Sequence, residues 1–257
     1  MAIDFQDLTG SVFERADLQR SRFTTVLLND TTIENADLYR MTLRGVEIVD
    51  TTIDGEIKNL VINGVDVAPL VEAELDRREP DRPKFRPTTA DGFREAWALN
   101  ERLWAATVER ARRLDPETLH ESVGGEWSFI QTLRHLAFAS ECWVARCILG
   151  ATDHWHPLAL PWDQMEPTEG VPHDRDARPS LDEALALRHD AMRMVAGVLA
   201  DLTDERLDDR TAPAVGPGWP PEGETFPVRE CLLVVLNEEW HHRMYAERDL
   251  TVLEGRG

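Results

Sequence analysis

The sequence predicts a multi-domain β + α chain, a short β-solenoid followed by an all-α part of four helices, and three observations predict it. Large apolar side chains recur every five positions through the first sixty residues, at Leu8, Phe13, Leu18, Phe23, Leu28, Ile33, Leu38, Leu43, Ile48 and Ile53. Every Trp, Pro, His and Cys of the 257 residues lies after residue 60. Beyond residue 90, four long segments carry apolar residues at helical spacing with recognisable start signals.

The first segment has a period that neither an ordinary strand (about 2 residues) nor an amphipathic helix (about 3.6) explains. A coil whose sides are five residues long explains it: the apolar residue and the mostly small one two places earlier (Ser11, Ala16, Ser21, Thr31, Ala36, Thr51) point inward, and successive coils stack at strand spacing. Ala16-Asp17-Leu18 and Ala36-Asp37-Leu38 resemble the unit of the pentapeptide-repeat family. That resemblance implies a short right-handed quadrilateral β-helix over residues 1–67. Ten units make about two and a half coils, too thin a core to stand alone, so the segment is expected to dock on something or to serve as a platform for a homodimer.

Residues 60–67 (LVINGVDV) read as a last strand, with Asp66 placed to cap a short helix over Pro69 to Arg78. Pro80, Pro83 and Pro87 then mark a semi-stiff connection, so residues 68–90 are read as a capping helix and linker. The four-helix part, 91–257, opens with a helix over 91–113 that carries Phe93, Trp97, Trp104 and Val108. Ser128 with Gln131 forms a capping box ahead of a second helix, apolar on most faces and therefore central. Ser180 with Glu183 forms another ahead of a third helix, and the fourth starts near Pro227. About thirty residues (151–179) separate the second and third helices, a length that in compact domains often lines a site.

Composition excludes several roles. With 48 acidic against 28 basic residues and a formal charge of −20, the chain lacks the clustered cations that phosphate neutralisation needs, so nucleic acid is not expected as a partner. Residues 1–60 carry −5 of that charge and the remainder −15, an even density that also argues against the DNA mimicry of long acidic pentapeptide-repeat proteins. No apolar stretch reaches eighteen residues and the start (MAIDFQDLTG) has no basic or apolar leader, so a cytoplasmic chain without a membrane partner is expected. Cys142, Cys147 and Cys231 are too few and unevenly spaced for a disulfide framework; Cys142 and Cys147 read as core thiols.

The chemistry is expected in the fourth helix. Glu238 and His242 are four apart and share one face behind an apolar stripe, and His135 sits in the middle of the apolar second helix. A carboxylate and imidazoles directed into a bundle need partners, and a divalent metal is one that satisfies all three while keeping a position open. His241 and Tyr245 are candidates to support the ligands, and His154 and His156 of the long loop could approach the open position.

Residues 91–252 resemble the DinB superfamily of metal-binding four-helix bundles, through Glu126-Trp127-Ser128, Leu133-Arg134-His135-Leu136 and Leu236-Asn237-Glu238-Glu239-Trp240-His241-His242. The superfamily includes mycothiol-dependent maleylpyruvate isomerase and bacillithiol transferases, and the isomerases are similar to this chain in having Glu where many members have a third His. The resemblance implies His135, Glu238 and His242 as metal ligands, zinc or another divalent ion such as nickel as cofactor, and mycothiol as co-substrate. It implies transfer of a thiol to, or isomerisation of, a small electrophilic substrate. The alternatives are metal-water hydrolysis at the same site and a non-enzymatic interaction role carried by the repeat segment.

Overall fold

The computed structural model describes residues 7–34 and 36–256. The chain divides into two compact units, one ending at Glu56 and the other beginning at Ile57.

The first unit overturns the expected β-helix. Its described residues contain no strand and no helix, and the ten apolar side chains expected to point inward are 49–69% exposed, from Leu18 to Ile53. The physical content of the five-residue period is a period of turns. Gly10, Arg15, Arg20, Thr25, Asp30, Arg40, Gly45 and Asp50 all have φ between 49° and 74°, each two places after an apolar residue. A left-handed residue at each of these positions breaks the described chain into short extended pieces, which do not pair into a ladder.

The second unit opens with a two-residue hairpin, β1 (Val61–Ile62) against β2 (Val65–Asp66), antiparallel. Residues 60–67 are therefore not one strand: Asn63 and Gly64, at φ 50° and 85°, form the tight turn that an Asn-Gly pair favours. Asp66 Oδ1 accepts from the Ala68 amide at 3.2 Å, and α1 (Ala68–Arg78) follows with Pro69 in its first turn. The proline-rich connection is docked and not a free linker. Residues 82–85 form a 3₁₀ turn whose Phe85, 4% exposed, packs on Trp240 with ring centroids 4.9 Å apart.

Four long helices form the bundle: α2 (Ala90–Ala111), α3 (Phe129–Ser140, continued by a π-helical stretch over Glu141–Ile148), α4 (Leu181–Ala200) and α6 (Val228–Glu254), with the single turn α5 (Asp204–Leu207) between the last two. The capping boxes read from the sequence open α3 and α4, and the Thr89 hydroxyl caps α2 by accepting from Gly92 N at 3.1 Å. End contacts fix the directions. Arg229 reaches Thr88 O and Arg110 reaches Glu254, so α2 and α6 run parallel; Arg248 reaches Glu126, so α3 opposes α6. Phe129 and Ile130 pack in one layer with Ala184 and Leu185, and Val144 in another with Val195 and Leu199, so α3 and α4 are parallel.

This up–down–down–up order explains the long loop. Two parallel neighbours cannot be joined by a short turn, and the chain must return along a twenty-residue helix, about 30 Å. The buried Arg134 of α3 holds the returning segment: its Nε donates to Leu158 O at 2.7 Å, Nη1 to Ala177 O at 3.1 Å, and Nη2 to Asp174 O. No helix is long and apolar enough to cross a membrane among the described residues. Arg134→Ala should lower unfolding stability by about 3 kcal/mol, as hydrogen bonds to a charged group are lost and carbonyls are left unpaired. Urea denaturation followed by circular dichroism measures it; a loss below about 1 kcal/mol would show that the loop does not depend on this residue.

Candidate metal centre

The capping box at Ser128 sets where α3 begins, and with it the depth of each residue in the bundle. His135 lies two turns into the helix, 6% exposed, and its Nδ1 lies 2.9 Å from the carbonyl of Leu160 in the long loop. A carbonyl can only accept, so Nδ1 carries a proton and Nε2 is the nitrogen whose lone pair an ion would take in place of a proton. That nitrogen points at α6, 3.4 Å from Glu238 Oε2. One turn along α6, His242 Nε2 lies 3.0 Å from the same oxygen. The three side chains each offer one ligand atom, and these atoms lie within 4.8 Å of one another.

The donor set tests well against a divalent metal. Two imidazole nitrogens and a carboxylate oxygen from two facing helices match the three protein ligands of an open zinc site, and a backbone carbonyl on the far nitrogen of His135 is the outer contact that orients a ligating imidazole. Burial pushes the Glu238 carboxyl up, but hydrogen bonds from His135 and His242 and their charge more than offset this and hold it well below the usual carboxylate range. The group is thus an anion held between two imidazoles.

Aromatic rings wall the group. The Trp127 ring is 4.3 Å from His135 and lies nearly parallel to His242 at 5.6 Å, and its indole N–H donates to Asp163 Oδ1 at 3.0 Å. Phe138 stands 6.5 Å from His135, and Tyr245 meets His242 edge-on at 5.9 Å.

Of the residues singled out in the sequence, His135, Glu238 and His242 come together, and Tyr245 stands beside them. His241 turns away, its Nδ1 on the carbonyl of Asn237 of its own helix at 3.1 Å. Neither loop histidine joins the group: His154 packs tilted against Trp155 at 4.1 Å, and His156 Nδ1 accepts from the Leu158 amide at 3.1 Å. Cys142 is a buried thiol, pushed well above its ordinary range by burial and by the charges of Glu141 and Glu238. Sequence reasoning missed Leu160, whose part is played by a carbonyl that any residue has, and gave Trp127, though it stands in a stretch that carries the resemblance, no place at the site. It also missed Glu141, a carboxyl 6% exposed in the π-helical stretch.

A family model described as the DinB superfamily matches residues 99–246, from within α2 to within α6, and includes all three members of the group. No curated protein and no solved structure matches the chain.

Burial pushes the Glu141 carboxyl up to about 8, against a smaller downward effect of the His156 amide on its Oε1. The folded state therefore keeps its proton where the unfolded chain has lost it, and this residue's contribution to stability falls as pH rises from about 4.5 toward 8. Glu141→Gln removes that penalty. Its stability relative to the parent chain should be higher at pH 8.5 than at pH 5, by about 2–4 kcal/mol, measured as urea midpoints at the two pH values; an equal difference at both would mean that the carboxyl titrates normally.

Proposed function

Starting from the fact that the chain belongs to the DinB superfamily, we propose that it is a divalent-metal-dependent enzyme that holds its ion on His135, Glu238 and His242. In this reading it uses a low-molecular-weight thiol such as mycothiol, for transfer to a small electrophile or for its isomerisation. The observation that carries the metal assignment is the meeting of three ligand atoms within 4.8 Å with the His135 proton already placed on the opposite nitrogen by Leu160. Zinc fits the nitrogen-and-oxygen donor set, and nickel competes for the same atoms.

A bound ion supplies Lewis acidity, which brings the ionisation of a thiol or of water close to neutral pH. The chain's own residues do the rest. Leu160 keeps the Nδ1 proton of His135 in place, so that this ring cannot turn its lone pair away. Glu238 keeps its negative charge despite burial, because two imidazoles face it. Trp127, Phe138 and Tyr245 line the approach with aromatic surface, which limits water and suits the apolar part of an electrophile. The thiol and the small-molecule substrate come from the resemblance noted in the sequence; the aromatic approach supports them over a strongly hydrated substrate.

The test begins with protein purified without a histidine tag. One divalent ion per chain is expected by elemental analysis, with affinity falling about 100-fold or more in His242→Ala and about 10-fold in a variant that shifts the loop carrying Leu160. Mycothiol consumption with a panel of small electrophiles should require the ion and disappear in His242→Ala while the helical circular dichroism stays unchanged. Protein without stoichiometric metal would overturn the site, and metal-dependent turnover without thiol consumption would replace thiol chemistry by hydrolysis.

A further inference from the structure

A second candidate site lies between α2 and α4, independent of the metal reading. Between α2 and α4 the bundle is open, leaving a cavity of about 540 Å³ lined by Trp104, Val108, Leu133, Leu185, Arg188 and Met192, among others. That size suits a small organic molecule. Trp104, Val108, Leu133, Leu185 and Met192 give it an apolar wall, the exposed Glu101, Glu109, Arg112, His189 and Arg193 also line it, and Arg188 is 2% exposed. The guanidinium lies against the Trp104 ring, 5.6 Å from its centroid, and Nη2 donates to Glu239 Oε2 at 2.5 Å.

This ion pair leaves most of the surrounding hydrogen-bonding capacity unused. Close to the ion pair, Arg188 Nε and Nη1, Trp104 Nε1 and Asn100 Nδ2 are buried donors without a hydrogen-bond partner, beside the acceptors Asn100 Oδ1 and Glu239 Oε1. The register of α2 and α6, set by Thr107 on Glu247 and Arg229 on Thr88, puts Asn100 level with the Glu239 turn, so the groups share one layer. Donors outnumber acceptors in a low-dielectric interior, where unmade hydrogen bonds are costly. An acceptor-rich monoanion removes that excess. A planar carboxylate matches the free edge of the guanidinium, whose other edge already holds Glu239.

We propose that the cavity between α2 and α4 binds a small amphipathic carboxylate, its acid group on Arg188 and its apolar body between Trp104, Val108, Leu185 and Met192. Consecutive glutamates of α6 thereby serve two sites: Glu238 faces the histidines and Glu239 anchors the arginine.

The probe is 4-phenylbutyrate, titrated calorimetrically into the full-length protein, with the neutral 4-phenylbutyramide alongside. The carboxylate should bind at least about 10-fold more tightly than the amide, the difference expected from one buried hydrogen bond to a charged group. Replacing Arg188 risks unfolding by stranding Glu239, so the cavity is blocked from its rim instead. Ala105→Trp, at an exposed helical position lining the cavity, should weaken carboxylate binding by about 10-fold or more. Binding should persist in EDTA and in His242→Ala. Undetectable binding, equal binding of the amide, or indifference to Ala105→Trp would each overturn the proposal. Loss of binding in EDTA or in His242→Ala would also overturn it, by placing the carboxylate at the histidine group.

Discussion

Arg134 enters the interior of the bundle as a full positive charge and is met there by the carbonyl oxygens of Leu158, Asp174 and Ala177. The need for those contacts follows from topology. Because α3 and α4 run parallel, the chain between them must travel back outside the bundle, and a returning segment with no strand or helix of its own has backbone groups to satisfy. Arg134 satisfies three carbonyls of that segment, and the next residue, His135, satisfies a fourth at Leu160. The same crossover that closes the fold therefore fixes the tautomer of a candidate ligand, and stability and site geometry depend on one pair of neighbouring residues.

The bundle was legible in the sequence because its signals are local. Ser128 with Gln131 and Ser180 with Glu183 announce helix starts within three residues, and apolar spacing marks the buried faces. His135, Glu238 and His242 were brought to notice for a different reason: an i, i+4 pair shares a face wherever it occurs, and a histidine in the middle of an apolar helix needs a partner within the bundle. The N-terminal segment shows the limit of such reading. A period of five fixes how often a feature recurs, but it does not say whether that feature is an inward side chain or a left-handed turn residue. Here the recurring feature is the turn, and Leu8, Phe13 and their successors lie exposed. Asn63-Gly64 carried a usable local signal for the hairpin, whereas Phe85 on Trp240 and Arg188 on Glu239 bring together residues 155 and 51 positions apart, for which no spacing rule exists.

The π-helical continuation of α3 explains how one helix holds both long connections. Arg146 donates to the carbonyls of Val215, Gly216 and Pro220, in the connection that leads into α6. In a continuous α-helix Arg134 and Arg146, twelve residues apart, would face directions about 120° apart. The i, i+5 winding, seen in the bond from Leu149 N to Val144 O at 2.9 Å, turns each residue by roughly 80° instead of 100° and brings Arg146 within roughly 30° of the Arg134 direction. The two connections should then meet on one side of α3. They do: Trp162 of the first packs edge-on against Trp219 of the second at 5.2 Å, and a Cβ at Gly218 would come within 2.5 Å of Trp155 Cζ2, so only glycine allows that approach. The π turns place a second buried arginine where the meeting loops need it.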